Sequence, residues 1–220
     1  MRKSDILGSV TIGLISALIG FFILSFIGLK LPIVGDYPIL LFVILPIGAI
    51  GMIFVASVMS RKMPVLLQIA RCFLAGVLNT LVDLGIFNLL FYILLPSALP
   101  VLFANQDELF IKGITIGALV FAAIKAVSFS AGAVNSYFWN KYWTFNKRDS
   151  GSRTKEFGKL YLVTLLGLAI NVGVATFVSK YIGPQFGTTV KIWGNISIVI
   201  AAFAAFVWNF VGYKFLVFKK

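Results

Sequence analysis

The chain has 220 residues, 60% hydrophobic and 12% charged, with mean hydropathy +1.02 and net charge +12. A soluble domain carries about 25% charged residues. Half that charge, with six long apolar runs in so short a chain, excludes a soluble globule, a disordered chain and a disulfide-stapled one.

A helix needs about 20 mainly apolar residues to cross a bilayer. Six stretches meet that length: 6–27, 38–59, 72–95, 113–139, 160–178 and 192–211. Asp83 is the one charge in the third and Lys125 the one charge in the fourth; the other four have none. Pro46 is a kink site in the second span, which neighbouring helices can accommodate. The first run follows Met-Arg-Lys, as a signal peptide would. It is longer than the usual apolar region of about 7–15 residues, and no A-x-A site precedes Lys30, so a span is expected. Small-residue patterns at Gly8–Gly20, Gly48–Gly51 and Gly113–Gly117 are expected to allow close helix packing.

Basic residues set orientation. Arg2, Lys3, Arg61, Lys62, Arg71, Lys141, Lys147, Arg148, Arg153, Lys155, Lys159, Lys214, Lys219 and Lys220 fall on one side of six alternating spans. Lys30, Lys112, Lys180 and Lys191 fall on the other. Both termini are therefore expected in the cytoplasm, with residues 147–159 as the main cytoplasmic loop. The positive balance points to anionic membrane lipids. Nucleic acid is not an expected partner, because the basic residues sit on short segments between spans.

The chain also resembles itself. Shifted by 88, the segment from Arg71 overlies the segment from Lys159, with Leu74 on Leu162, Leu78 on Leu166, Gly85 on Gly173 and Asp83 on Asn171. Shifted by 73, Lys141 overlies Lys214, Phe145 overlies Phe218 and Lys147 overlies Lys220. The expected fold is an all-α integral membrane protein of six transmembrane helices, the last four forming two parallel two-helix repeats.

The repeated ends, SYFWNKYWTF at 136–145 and NFVGYKFLVF at 209–218, resemble the basic–aromatic endings of the GtrA-like family of small four-span membrane proteins. Arg71, Phe73 and Gly76 resemble that family's opening pattern. The two endings depart from it at Ser136 and Tyr213, where the family usually has Asn. The resemblance covers about residues 66–220, which implies an N-terminal two-helix addition over 1–63 and a GtrA-like domain over 64–220. It implies movement of a polyprenyl-phosphate-linked sugar across the cytoplasmic membrane for polysaccharide or glycolipid synthesis, or help to a membrane-associated glycosyltransferase.

Asp83 and Lys125 each cost several kcal/mol in hydrocarbon unless paired or hydrated. At about 1.5 Å per residue, Asp83 lies about 18 Å from Arg71 and Lys125 about 24 Å from Lys141. The difference is within a lysine's reach, so the two are expected to pair. Such a pair either fixes helix register or lines a polar cavity for an anionic headgroup. Asn79 shares the helix face of Arg71 and Asp83, while Lys125, Ser128 and Asn135 form a stripe on the fourth span. Asn171 occupies the Asp83 position in the second repeat, and Asn195 and Asn209, 14 residues apart, share one face of the last span. Inward amides either bind sugar or join helices. Arg71, Asn140, Lys141, Lys159 and Lys214 form an interface cluster suited to phosphate, or to ordinary snorkelling. No histidine is present and Cys72 is the only cysteine. No catalytic constellation, metal cluster or nucleotide loop is visible, so neither an enzyme nor a cofactor is expected. A non-transporting subunit that anchors a glycosyltransferase and a small proton-coupled cation transporter are the rival readings. A homo-oligomer is compatible with all three.

Overall fold

The computed structural model describes residues 1–27, 37–104, 110–111, 114–147, 152–185, 187 and 189–219. Six long helices account for nearly all of them: α1 Lys3–Ile27, α2 Leu41–Met59, α3 Val65–Ala104, α4 Ile116–Trp139, α5 Arg153–Thr176 and α6 Val190–Gly212. A two-residue antiparallel pair, Phe110–Ile111 with Ile114–Thr115, lies between α3 and α4. Lys30, Lys112, Arg148 and Lys220, used above for orientation, lie outside the described residues, as does Gly113.

Among the described residues, five helical segments are long and apolar enough to cross a membrane, and no more than 33% of any is buried in protein. Their remaining surface carries residues such as Leu7, Phe54, Val172 and Phe203, all more than half exposed. That much uncovered apolar area is stable only against hydrocarbon. The chain is a multi-pass membrane protein.

The chain packs as two compact units, Met1–Ser136 and Tyr137–Lys220. The expected division near residue 63 is one of sequence resemblance; packing divides the chain elsewhere. In the first unit α1 packs against both α2 and α3, and α2 against α3. Pro38 starts a short 3-10 turn that leads into α2. Gly13 of α1 lies against the backbone of Pro46, so close that an added Cβ would collide with the Pro46 Cα. The proline that removes a helical hydrogen bond is thus a point where the backbones of α1 and α2 come close, with Gly13 leaving the room. Gly48 and Gly51 face no neighbour, contrary to expectation.

In the second unit α5 packs on α6. α5 begins at Arg153, capped by the Ser152 hydroxyl, which accepts from the Lys155 N–H at 3.5 Å. The expected loop over 147–159 is therefore helical from Arg153 onward, over its second half, because Ser152 supplies a start signal before the apolar run. α4 and α6 both end in π turns, Asn140–Thr144 and Tyr213–Val217. Each is closed by an aromatic N–H: Phe145 to the Asn140 carbonyl at 2.9 Å, and Phe218 to the Tyr213 carbonyl at 2.8 Å. The turns lie 73 residues apart.

Candidate functional site

Polar groups in the first unit gather at two places along α3. Near its start, Arg71 Nη2 meets Asp5 Oδ1 of α1 at 2.5 Å. Both are buried, and Asp5 also accepts from the Arg2 backbone N–H at 3.3 Å. The first turn of α1 favours a carboxylate, because its unpaired N–H groups leave positive partial charge there. Arg71 was expected at a phosphate-binding interface; its guanidinium is engaged with an acid of the N-terminal helix.

Three turns further along, Lys125 Nζ donates to Asp83 Oδ2 at 2.5 Å, and the Ser128 hydroxyl donates to Asp83 Oδ1 at 2.6 Å. The pair expected from helix rise is present. Lys125 and Ser128 stand at i and i+3 on α4, so both reach the same carboxylate. Asn79, one turn from Asp83, lies beside Gly132, whose missing side chain leaves room for it. Among the described residues its buried Oδ1 accepts no hydrogen bond, and the buried Nδ2 of Asn135 donates none. The Lys125 side chain keeps 44% of its surface exposed, against 18% for Asp83.

In the second unit the polar centre is Lys141, whose side chain is 1% exposed. Its Nζ donates to Glu156 Oε2 at 2.5 Å and to the Tyr137 hydroxyl at 2.9 Å, and that hydroxyl lies 3.2 Å from the same carboxylate oxygen. Burial works against the ammonium charge, but the hydrogen bonds and attraction from Glu156 and Tyr137 outweigh it. The Lys141 pKa is held above the ordinary lysine value. Lys214, by contrast, is only half-buried and has no carboxylate partner among the described residues.

Deeper in this unit Thr164 and Tyr213 share a hydroxyl contact of 2.8 Å, and the Trp208 indole donates to the Val163 carbonyl at 3.0 Å. Asn209 packs against Gly167, where a side chain would collide with it, and its buried Oδ1 lacks a partner. Asn171 is half-buried on α5 and Asn140 is buried in its π turn.

Asp5, Tyr137 and Glu156 were not anticipated. The chain has only seven acids. All three acids among the described residues are ion-paired, so the scarcity of acids is the signal that could have found them.

A family model described as GtrA/DPMS, transmembrane domain, matches residues 71–218. No match was found among curated proteins or solved structures. The matched region begins at Arg71 and ends at Phe218, the two ends expected from the basic–aromatic patterns. The chain belongs to the GtrA/DPMS transmembrane-domain family.

Proposed function

We propose that this protein moves a polyprenyl-phosphate-linked sugar across the cytoplasmic membrane, for cell-surface polysaccharide or glycolipid synthesis. The observation that carries this reading is the half-exposed Lys125 on a helix expected to span the membrane. It is held by Asp83 and Ser128 rather than sealed by them. A lysine that only locked helix register would gain by full burial of its pair, since an exposed ammonium in hydrocarbon costs several kcal/mol. Partial exposure beside the carboxylate instead suits a polar route on which Lys125, Ser128 and Asn79 offer hydrogen bonds to sugar hydroxyls. Asn135 extends the same chemistry along α4, and in the second unit Asn171 and Asn209 are amides of the same kind. Lysines at helix ends capture the phosphate, and the prenyl chain stays in lipid. The protein acts without covalent chemistry of its own, and movement follows the gradient of the lipid-linked sugar. Both termini lie in the cytoplasm in this reading.

Reconstitution of the full chain in liposomes with a labelled polyprenyl-phosphate sugar tests it. Wild type translocates the label, while Lys125→Ala inserts normally and translocates it at least about tenfold more slowly, the loss of one charged hydrogen bond. Equal rates would remove Lys125 from the route.

A second reading has its own support. Arg153, Lys155 and Lys159 are exposed on the first turns of α5, Lys155 and Lys159 on one face, and make this end basic enough to suit a membrane-associated glycosyltransferase. As a non-transporting anchor, the protein would give no translocation in liposomes alone but would raise the activity of the enzyme added to them.

A further inference from the structure

We propose that the two lysines of the basic–aromatic endings have divided their work. Lys214 takes the phosphate of the anionic lipid, while Lys141 ties the end of α4 to α5. This rests on the function proposed above and deepens it.

The two lysines occupy the same seat. Lys141 Nζ lies 5.3 Å from the Tyr137 ring centre and 5.9 Å from that of Tyr142. Lys214 Nζ lies 5.7 Å from Phe210 and 5.5 Å from Phe215. Each ring is displaced from its counterpart by 73 residues, as the lysines are. The surrounding rings obey the same exchange. Tyr137 meets Phe218 at 6.3 Å and Phe145 meets Phe210 at 6.2 Å, both at 33°. Phe145 and Phe218 stack on each other at 5.2 Å. A contact in which each member of one ending meets the exchanged member of the other is the signature of a local two-fold relation.

Within that shared frame the anion differs. On Lys141 the seat already holds an oxyanion, the Glu156 carboxylate, with the Tyr137 hydroxyl as a further acceptor. On Lys214 the residue in the place of Tyr137 is Phe210, which has no hydroxyl. Under the 88-residue shift Glu156 overlies Gln68, which has no charge. A phosphate at Lys141 would have to displace Glu156 or share its cation with a second buried anion, and like charges at that distance repel. A phosphate at Lys214 meets an ammonium that has no carboxylate partner among the described residues and is held over two rings in a low-dielectric setting. Phe215, 57% exposed, stands beside that ammonium, and Leu216, 55% exposed, follows it in the chain. They give the prenyl chain an apolar surface next to its phosphate, which free phosphate would not use.

The test uses the full chain in phosphatidylcholine nanodiscs, with farnesyl phosphate, farnesol and inorganic phosphate as probes. Wild type is expected to bind farnesyl phosphate more tightly than either of the others. Lys214→Met should weaken it at least about tenfold and Lys214→Arg by no more than about threefold, since a guanidinium keeps the charge. Glu156→Gln, which releases Lys141, should bind no more weakly than wild type. If wild type does not distinguish farnesyl phosphate from farnesol, the proposed function falls and this assignment with it. If wild type does distinguish them but Lys214→Met binds equally well, or Glu156→Gln loses as much as Lys214→Met, the division of work alone is wrong. Thermal melts of each variant separate lost binding from lost fold: a Lys214→Met protein that melts with wild type yet binds poorly supports the assignment. Should Lys214→Met fail to fold, wild-type affinity in Lys214→Gln overturns it.

Discussion

The Asp5–Arg71 pair joins the first turn of α1 to the start of the family-matched region, and removing one partner measures how dry that joint is. The Asp5 side chain is 1% exposed and the Arg71 side chain 10%. A buried pair stripped of one member costs about 3–5 kcal/mol, because the remaining charge keeps its desolvation penalty and loses its compensation. An exposed pair costs only about 0–1 kcal/mol. The burial of both ends places this joint in the first class. Asp5→Ala and Arg71→Met should each destabilise the full chain in detergent micelles by about 3 kcal/mol or more. The double variant should be less destabilised than the sum of the two by about 2 kcal/mol or more, since it leaves no orphaned charge. The assay is denaturant unfolding of all four proteins in one detergent, read by tryptophan fluorescence and closed as a double-mutant cycle. A coupling energy below about 0.5 kcal/mol would refute the reasoning: water would then reach the pair and α1 would not seal against α3 there.

Other expectations follow from single contacts. Gly13→Val should destabilise by about 1–3 kcal/mol, because the new side chain meets Pro46 backbone that cannot rotate away. Gly48→Ala, whose Cβ meets nothing, should be neutral or slightly stabilising in the same unfolding assay. Trp208→Phe leaves the Val163 carbonyl without its indole donor and should cost about 1 kcal/mol. The raised pKa of Lys141 makes its pair sensitive to alkali. Its stabilisation is full below the ordinary lysine value of 10.5 and is lost as pH rises through the higher folded-state value. Thermal melts of wild type should therefore fall above that pH more steeply than those of Glu156→Gln.

The spans were legible because four of six contain no charge and hydrocarbon tolerates little else. The Asp83–Lys125 pair was legible for a related reason. With one charge on each of two successive spans, a fixed rise per residue converts sequence distance into depth, and the depths agreed. The partner of Arg71 was not legible. Asp5 lies near the beginning of the chain, where an acid reads as local helix-end chemistry, and nothing local says that α1 runs beside α3. Glu156 was hidden by a charged stretch read as loop, although Ser152 with a following apolar run is a helix start. The π turns had no signature either. An extra residue in a helical turn depends on what closes it, here Phe145 and Phe218, which read only as interface aromatics.

The three ion pairs differ in how much of each cation is left for a ligand. The Lys141 side chain is 1% exposed, Arg71 10% and Lys125 44%. A cation enclosed by its partner carboxylate offers an incoming phosphate little surface and no net charge, so Lys141 and Arg71 serve best as fasteners, one between the π turn after α4 and the start of α5, the other between α3 and α1. Lys125 is paired, yet much of its side chain still faces outward from the carboxylate. Its partner can hold it in place while its remaining hydrogens meet a sugar or phosphate oxygen. Under the 88-residue shift Asn171 overlies Asp83, and under the 73-residue shift Ile198 and Ala201 overlie Lys125 and Ser128, so the overlaid positions carry an amide and apolar groups. Of the three paired cations Lys125 keeps the most surface for a ligand, which is why the liposome assay of the proposed function is built on Lys125→Ala.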